Sequence, residues 1–113
     1  GIKFDFKYKN KTVELKTDTY SMLKTPNFFM ERYSDVERAT NGGPWRAAHD
    51  NVDYFVYMYV QQRKCFWFDS KKLVEFLDVY CKNKSMINIP NKTWTTAGYL
   101  VPRTAVSKLI LNS

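Results

Sequence analysis

The chain has 113 residues, of which 44% are hydrophobic and 17% aromatic, so it is one folded domain rather than a disordered segment or several domains. Its 18 Lys and Arg residues exceed its 11 Asp and Glu residues and give a formal net charge of +7, which favours a polyanionic partner such as nucleic acid. The longest apolar run, Tyr54 to Val60, is too short to span a bilayer. The N-terminus has no basic region followed by an apolar core, so we expect neither a membrane anchor nor a signal peptide.

The cysteine and histidine content excludes several kinds of site. Cys65 and Cys81 form no C-x-x-C motif, so we expect two reduced thiols in a cytoplasmic protein, or in the host cytoplasm if the origin is a phage or virus. His49 is the single histidine, which excludes a histidine-based triad or zinc site built within this chain. We expect it on a surface helix.

Hydrophobic periodicity and turn residues predict the elements in chain order. They are strands at residues 3–9, 12–18 and 27–33, a loop with a short helix within 34–51, strands at 53–60 and 65–68, a helix from about residue 70, and a loop with a short helix from about Arg103. The apolar residues Leu73, Phe76, Leu77 and Tyr80 recur with helical spacing after a cap at Asp69 or Ser70. The order β-β-β-(α)-β-β-α-α predicts a mixed α/β domain with one central sheet and flanking helices.

The opening stretch "FDFKYKNKTVELKTD", residues 4–18, predicts a hairpin whose two faces differ in chemistry. A loop centred on Asn10 and Lys11 places residue 5 opposite residue 16 and residue 7 opposite residue 14. One face is then apolar and the other carries charged side chains. The apolar set is Phe4, Phe6, Tyr8, Val13 and Leu15, and the charged set is Asp5, Lys7, Glu14 and Lys16.

In this register Asp5 and Glu14 lie diagonally across the hairpin, within reach of one divalent ion. Two carboxylates, a main-chain carbonyl and water supply the hard oxygen ligands that Mg²⁺ and Mn²⁺ prefer. Lys16 beside them would position or polarise a water nucleophile and stabilise charge on a scissile phosphate. A solvated hairpin face with ordinary ion pairs has the same pattern, and the sequence leaves both interpretations open.

These residues resemble the motif of the PD-(D/E)XK nuclease superfamily, in which an Asp on one strand is followed by E-x-K on the next, antiparallel strand. Here the motif is Phe4-Asp5 and Glu14-Leu15-Lys16. The continuation is similar to small phage-type members: "VELKTDTYS", "NFFMERYS", a Gly-containing turn with a short helix, "DYFVYMYV", a strand that runs into a helix, and the late "TAGYLVPR". The resemblance covers most of the chain and implies a restriction-endonuclease-like core, which is a mixed central sheet flanked by helices.

By this resemblance Asp5 and Glu14 are the metal ligands, Leu15 lends its carbonyl, and Lys16 is the catalytic lysine, with Mg²⁺ or Mn²⁺ as the cofactor. The chain departs from the pattern at two points. Phe4 stands where the motif has Pro, and four residues precede Asp5, so the usual N-terminal helix has no counterpart. We therefore expect residues 1–113 to be a single nuclease-like domain of a longer parent protein, or a reduced module.

Other polar and aromatic residues are secondary candidates. Glu31 on the third strand would aid the metal site, but an edge-strand acid paired with a Lys is the more ordinary interpretation. Asp18 is more typical of a turn at a strand end. Trp45 and Arg46 are suited to stack on a base and to bind phosphate, while a tryptophan that caps the core is an equal alternative. The generic phosphate-contact candidates are Lys24, Arg32 and Arg103.

Together these features predict a Mg²⁺- or Mn²⁺-dependent DNA endonuclease centred on Asp5, Glu14 and Lys16. The alternative is a module of the same fold that binds nucleic acid or a protein without catalysis. A third hypothesis is an enzyme of the same fold that cleaves RNA, because nothing in the sequence indicates whether a 2′-hydroxyl is contacted. A homodimer and further domains of a longer chain are partner states that the sequence leaves open, and no membrane partner is expected.

Overall fold

The computed structural model describes residues 3–112. The strands are β1 Phe6–Tyr8, β2 Lys11–Asp18, β3 Asn27–Asp35, β4 Thr40–Asn41, β5 Tyr54–Tyr59, β6 Lys64–Asp69, β7 Ile87–Pro90 and β8 Thr95–Pro102. The α-helices are α1 Gly43–His49 and α2 Ser70–Tyr80, and 3-10 helices cover Met22–Lys24 and Arg103–Leu109. The predicted α/β class is confirmed.

The strands form two four-stranded sheets, so the expectation of one central sheet was wrong. The first sheet has the order β1-β2-β5-β6, and the second has the order β4-β3-β8-β7. The Gly and the Pro in "TAGYLVPR" are typical of a loop, so the sequence does not indicate the second sheet. This segment is instead strand β8, which pairs along most of its length with β3, about seventy residues earlier in the chain. Such long-range pairing leaves little local signal in the sequence.

The N-terminal hairpin forms, but its register differs from the prediction by two residues. Phe6 pairs with Val13 and Tyr8 pairs with Lys11, and β1 begins at Phe6 rather than at residue 3. The two loop residues, Lys9 and Asn10, have φ values of 49° and 65°. Positive φ at both positions is the geometry of a type I′ turn, which matches the twist of paired strands. Because the shift is even, residues predicted to share a face of β2 still do so.

The apolar face of the hairpin is buried only in part, and Val13 is its one fully buried member among the described residues. Phe6 and Tyr8 on the apolar face remain 39% and 47% exposed. Glu14 and Lys16 lie beside Phe55 and Tyr57 of β5 in a parallel ladder, and both of these aromatic residues belong to the main core. The charged side chains of β2 therefore project from the same face of the first sheet as the core residues Phe55 and Tyr57.

The main core lies between the two sheets and the helices. Its largest members come from both sheets and from α2, and they include Phe28, Met30, Phe55, Tyr57, Phe68 and Leu73. The Phe28 ring contacts the rings of Tyr57 and Phe68 at centroid distances of 4.8 and 5.9 Å. Tilted and edge-on packing of this kind is favourable for aromatic pairs beyond the area that they bury.

Helix α2 begins where the sequence indicates. The Asp69 side chain accepts a hydrogen bond from the Lys72 backbone N–H at 3.0 Å, which is the N-cap interaction expected of this residue type. Leu73 and Leu77 are fully buried on its inner face. The predicted C-terminal helix is a 3-10 helix that begins at Arg103. Among residues 3–112, neither α-helix is long and apolar enough to cross a membrane.

A buried tyrosine joins the two sheets. The Tyr57 hydroxyl donates a hydrogen bond to the Asp18 carboxylate and accepts one from the Phe29 backbone N–H at 3.0 Å. Tyr57 is fully buried, and burial raises the pKa of its hydroxyl, with the Asp18 carboxylate adding to the effect. The phenol therefore stays neutral and acts as a fixed donor and acceptor between β2, β5 and β3.

This junction predicts the effect of Tyr57→Phe. The substitution leaves the Phe29 N–H and the Asp18 carboxylate without their partner, so it should lower the free energy of unfolding by about 1–3 kcal/mol. Denaturant unfolding measures the change. Tyr54→Phe is the control, since the Tyr54 hydroxyl forms no hydrogen bond to the described residues. Equal stabilities for the two variants would contradict a bridging role for Tyr57.

Candidate active site

Asp5 reaches across the start of the hairpin to β2. Its backbone N–H donates to the Val13 carbonyl at 2.8 Å, and its carboxylate Oδ2 accepts from the Leu15 backbone N–H at 2.6 Å. The second hydrogen bond fixes the carboxylate over the segment that carries Glu14 and leaves Oδ1 for another partner. The expected closeness of Asp5 to the E-x-K segment is thus present, in the shifted register.

The Leu15 carbonyl lies on the same side of β2 as Asp5. A residue in an extended strand directs its N–H and its C=O to the same side, and the Leu15 N–H is bonded to Asp5. Pairing with β1 ends at Val13, so no β1 residue pairs with Leu15 on this side. The main-chain carbonyl proposed as a ligand therefore points toward the edge where Asp5 lies.

Glu14 lies among other carboxylates. Its side chain is only 15% exposed, and its Oε2 is 3.9 Å from the Arg46 guanidinium on α1. Burial raises the pKa of Glu14, and the charge of Asp5 raises it further, while Arg46 lowers it. Asp50 and Glu31 also raise this pKa. Glu14 is therefore a mostly buried carboxylate in a negative environment that the Arg46 guanidinium only partly balances.

Glu31 approaches this site from the second sheet. It pairs with Gly98 beside a shift in register between β3 and β8, and such bulges redirect side chains. A Cβ at Gly42 would overlap the Glu31 carboxylate, and one at Gly43, whose φ is +47°, would lie 2.7 Å from the Glu31 carbonyl. The two glycines let α1 approach β3 closely. Among the described residues Glu31 forms no ion pair, so its predicted pairing with a Lys is absent.

Lys16 opens onto a groove between the two sheets, which we call the β2–β8 groove. Its volume is about 580 Å³, and Asp18 and Glu31 also line it. Six further residues of the lining are Tyr20, Lys24, Phe29, Ile87, Ile89 and Leu100. Lys16 lies two residues from Glu14 on the same face of β2. The groove therefore begins beside the carboxylates.

The remaining candidates for nucleic-acid contacts divide into exposed and internal residues. Lys24 is exposed at the groove, and the Arg46 side chain is 52% exposed beside Glu14. Trp45 is only 7% exposed, and its Nε1 donates to Asp78 of α2 at 2.8 Å. Burial removes the ring face that a base would need, so the core-capping alternative for Trp45 is the one the structure favours.

The other two arginines stabilise the fold. Arg32 donates to the Asn41 side chain at 2.7 Å, and its guanidinium lies 5.2 Å from the centre of the Trp45 ring. Arg103 donates to the Tyr59 hydroxyl at 3.0 Å and to the Met22 carbonyl at 3.3 Å. These donors are used within the protein, so phosphate contacts by Arg32 and Arg103 stay a prediction without structural support.

His49, Cys65 and Cys81 lie outside the candidate chemistry. His49 is exposed, as expected, and pairs with Asp50 at 3.2 Å. Both cysteines are free, and burial raises the pKa of the Cys81 thiol. A buried thiol with a raised pKa is unreactive, which agrees with a structural role for Cys81.

The donor chemistry of the site fits a hard divalent cation. Asp5 and Glu14 supply carboxylate oxygens, and a cation between them would relieve the repulsion that raises the pKa of Glu14. Among residues 3–112, no three or more His, Cys, Asp or Glu side chains are arranged to hold a metal ion. An ion at this site would therefore depend on two carboxylates, the Leu15 carbonyl and water.

Sequence reasoning missed most residues of the groove. Tyr20, Ile89 and Leu100 come from three separate segments and share no motif. Asp50 was missed as a neighbour of Glu14 because α1 and β2 are far apart in the chain. In the sequence, the available signal is the spacing of Ile87 and Ile89 two residues apart, which is the period of a strand. The structure shows that Ile89 is 43% exposed.

Comparisons with known proteins do not add a family to this description. No protein-family model, no curated protein and no solved structure matches the chain.

The raised pKa of Glu14 predicts how Glu14→Gln changes stability in the absence of metal. The folded state binds the Glu14 proton more tightly than the unfolded chain, whose value is near the ordinary 4.5. Wild-type stability should fall as the pH rises from that value through the raised folded pKa. Glu14→Gln should therefore melt at a higher temperature than wild type in EDTA at neutral pH, and the difference should disappear below about pH 4.

Thermal melts across this pH range make the measurement, with Glu75→Gln as the control because Glu75 is exposed on α2. The control should melt close to wild type at every pH. A Glu14→Gln protein that is less stable than wild type at neutral pH would mean that the Arg46 pair outweighs the cost of burying the charge.

Proposed function

We propose that the protein is a metal-dependent endonuclease that hydrolyses phosphodiester bonds in DNA, and that its mixed first sheet, β1-β2-β5-β6, is a restriction-endonuclease-like core of the PD-(D/E)XK type. The observation that carries this proposal is the convergence of Asp5 and Glu14 at the start of β2. The Asp5 carboxylate is bonded to the Leu15 N–H, and its charge raises the pKa of Glu14. Lys16 follows on the same face, at the mouth of the β2–β8 groove.

The arrangement of strands supports the same proposal. The resemblance requires an acid on one strand and E-x-K on the next, antiparallel strand. Asp5 directly precedes β1, and Glu14, Leu15 and Lys16 lie within β2, which is antiparallel to β1. The net charge of +7 suits a polyanionic substrate.

Each residue has a role that follows from its position. Asp5, Glu14 and the Leu15 carbonyl would hold Mg²⁺ or Mn²⁺, which when bound supplies Lewis-acid stabilisation of phosphate charge and lowers the pKa of a water molecule. The Lys16 ammonium stabilises negative charge that develops on the scissile phosphate. Arg46 is half exposed beside Glu14, where its guanidinium can bind an adjacent phosphate through two N–H groups.

One observation favours the alternative of a binding module without catalysis. Arg46 already approaches Glu14 to 3.9 Å, so this carboxylate has a cationic neighbour without any metal. If that pair is the main partner of Glu14, the acids are structural and the basic surface alone would hold nucleic acid. The response to metal distinguishes the two functions.

A titration with Mn²⁺ provides the first test. A ligand that binds only the folded state raises its stability by RT ln(1 + [L]/Kd), so the melting temperature of wild type should rise steadily with Mn²⁺. Glu14→Gln and Asp5→Asn should lose this rise and should also lose cleavage of single-stranded, duplex and branched DNA. A flat response in wild type favours the binding module, and cleavage that survives either substitution would point to a contaminating nuclease.

Lys16→Ala separates catalysis from metal binding. A group that acts mainly on charge in the transition state contributes little to ground-state binding. The variant should keep its fold and its Mn²⁺ response and should lose no more DNA affinity than one phosphate contact supplies, while the cleavage rate falls by about 10²–10³-fold. Single-turnover assays measure the rate, and Lys71→Ala on the exposed face of α2 is the control. Full cleavage by a folded Lys16→Ala protein would exclude a catalytic role for this lysine.

A further inference from the structure

The β2–β8 groove has an apolar floor that the proposed cleavage chemistry does not use. The Phe29 ring lies across Gly98, where an added Cβ would be 2.7 Å from the ring. Ile89 and Leu100 stand beside it and are 43% and 46% exposed. Exposed aliphatic side chains beside an aromatic ring on the outer face of a sheet form a surface suited to a flat apolar ligand.

The rim of the groove is cationic. Lys16 and Lys24 line it, and Tyr20, which is 56% exposed, stands between them in the chain. Both lysines belong to the lining of the groove, and Lys24 is exposed. Phosphates are therefore favoured along the rim.

The inner acids make the groove selective. Asp18 and Glu31 line it, and carboxylates repel phosphate groups but accept hydrogen bonds from the amino groups of bases. A ligand that suits the whole groove has an anionic backbone along the lysines and a planar apolar group with amino donors against the floor. An unpaired nucleotide has these three properties.

We propose that the β2–β8 groove binds the bases of an unpaired DNA strand and makes the protein selective for single-stranded or branched DNA over continuous duplex. This inference rests on the proposed nuclease function, since it names the substrate class of the same site. A duplex presents phosphates outward and keeps its bases stacked inside, so it cannot cover the floor. A single strand can turn its bases onto aromatic and aliphatic side chains. The volume of about 580 Å³ lies within the range of about 300–1,000 Å³ for small-molecule sites.

The test measures binding without cleavage. Fluorescence anisotropy in EDTA compares a labelled single-stranded oligonucleotide, the same sequence as a duplex, and a strand of equal length that has no bases. The double variant Ile89→Thr, Leu100→Thr removes two of the three exposed aliphatic side chains of the floor, the third being Ile87, while β-branched residues preserve the strands. Val79→Thr, at a position that is 77% exposed on α2, is the matched control.

Wild type and the control should bind the single strand at least about tenfold more tightly than the duplex or the base-free strand, the scale of one stacked base. The double variant should lose about tenfold on the single strand and nothing on the base-free strand. The melting temperature of the double variant should equal that of wild type, which excludes loss of fold as the cause of its weaker binding.

Two outcomes overturn the inference. One is equal affinity for duplex and single strand with no effect of the double variant. The other is a change in oligomeric state in the double variant with unchanged DNA binding, which would make the groove a contact between protein chains. Floor-dependent binding of single strands without Mn²⁺-dependent cleavage would preserve this inference and reject the nuclease. Cleavage that requires Glu14, together with DNA binding that the double variant does not change, would support the nuclease and reject this inference.

Discussion

The parallel pairing of β2 with β5 is the constraint on which the rest of the structure depends. Six consecutive residue pairs, from Val13–Tyr54 to Asp18–Tyr59, fix this register. A parallel connection cannot be a tight turn, so the chain between the two strands must cross over one face of the sheet. That crossover contains β3, β4 and α1. It therefore brings Glu31 and Arg46 to the same face as Glu14.

This arrangement sets the energetic character of the candidate site. Glu14 is partly removed from water beside Asp5, and burial together with like charge makes its ionised form costly. The cost is tolerated because the same strand is anchored to the core through Tyr57, which bonds to both Asp18 and the β3 backbone. The neutral Tyr57 phenol thus holds β2 against the core a few residues from the buried charge of Glu14.

The second sheet provides the apolar wall of the groove beside the candidate site. β8 pairs with β3 along most of its length and carries β7 outward as an exposed hairpin, which places Ile89 and Leu100 opposite Lys16 across the β2–β8 groove. The hairpin of β1 and β2 holds the acids, while the hairpin of β7 and β8 provides an apolar wall. Asp5 and Glu14 and the apolar wall therefore come from different sheets, which the Tyr57 hydroxyl joins.

The sequence by itself determined the local features: the hairpin and the alternation of its faces, the cap and inner face of α2, the buried character of β5, and the placing of Glu14 and Lys16 together on one side of β2. These follow from periodicities of 2 and 3.6 residues and from short-range hydrogen bonds. Only the tertiary structure decided the two-residue register shift, the pairing of β8 with β3, the burial of Trp45, and the internal use of Arg32 and Arg103. The register of the hairpin depends on which two residues adopt the positive-φ turn, and the alternation of faces does not specify them. The other three features depend on contacts between distant segments, where packing and burial outweigh the preference of any single residue.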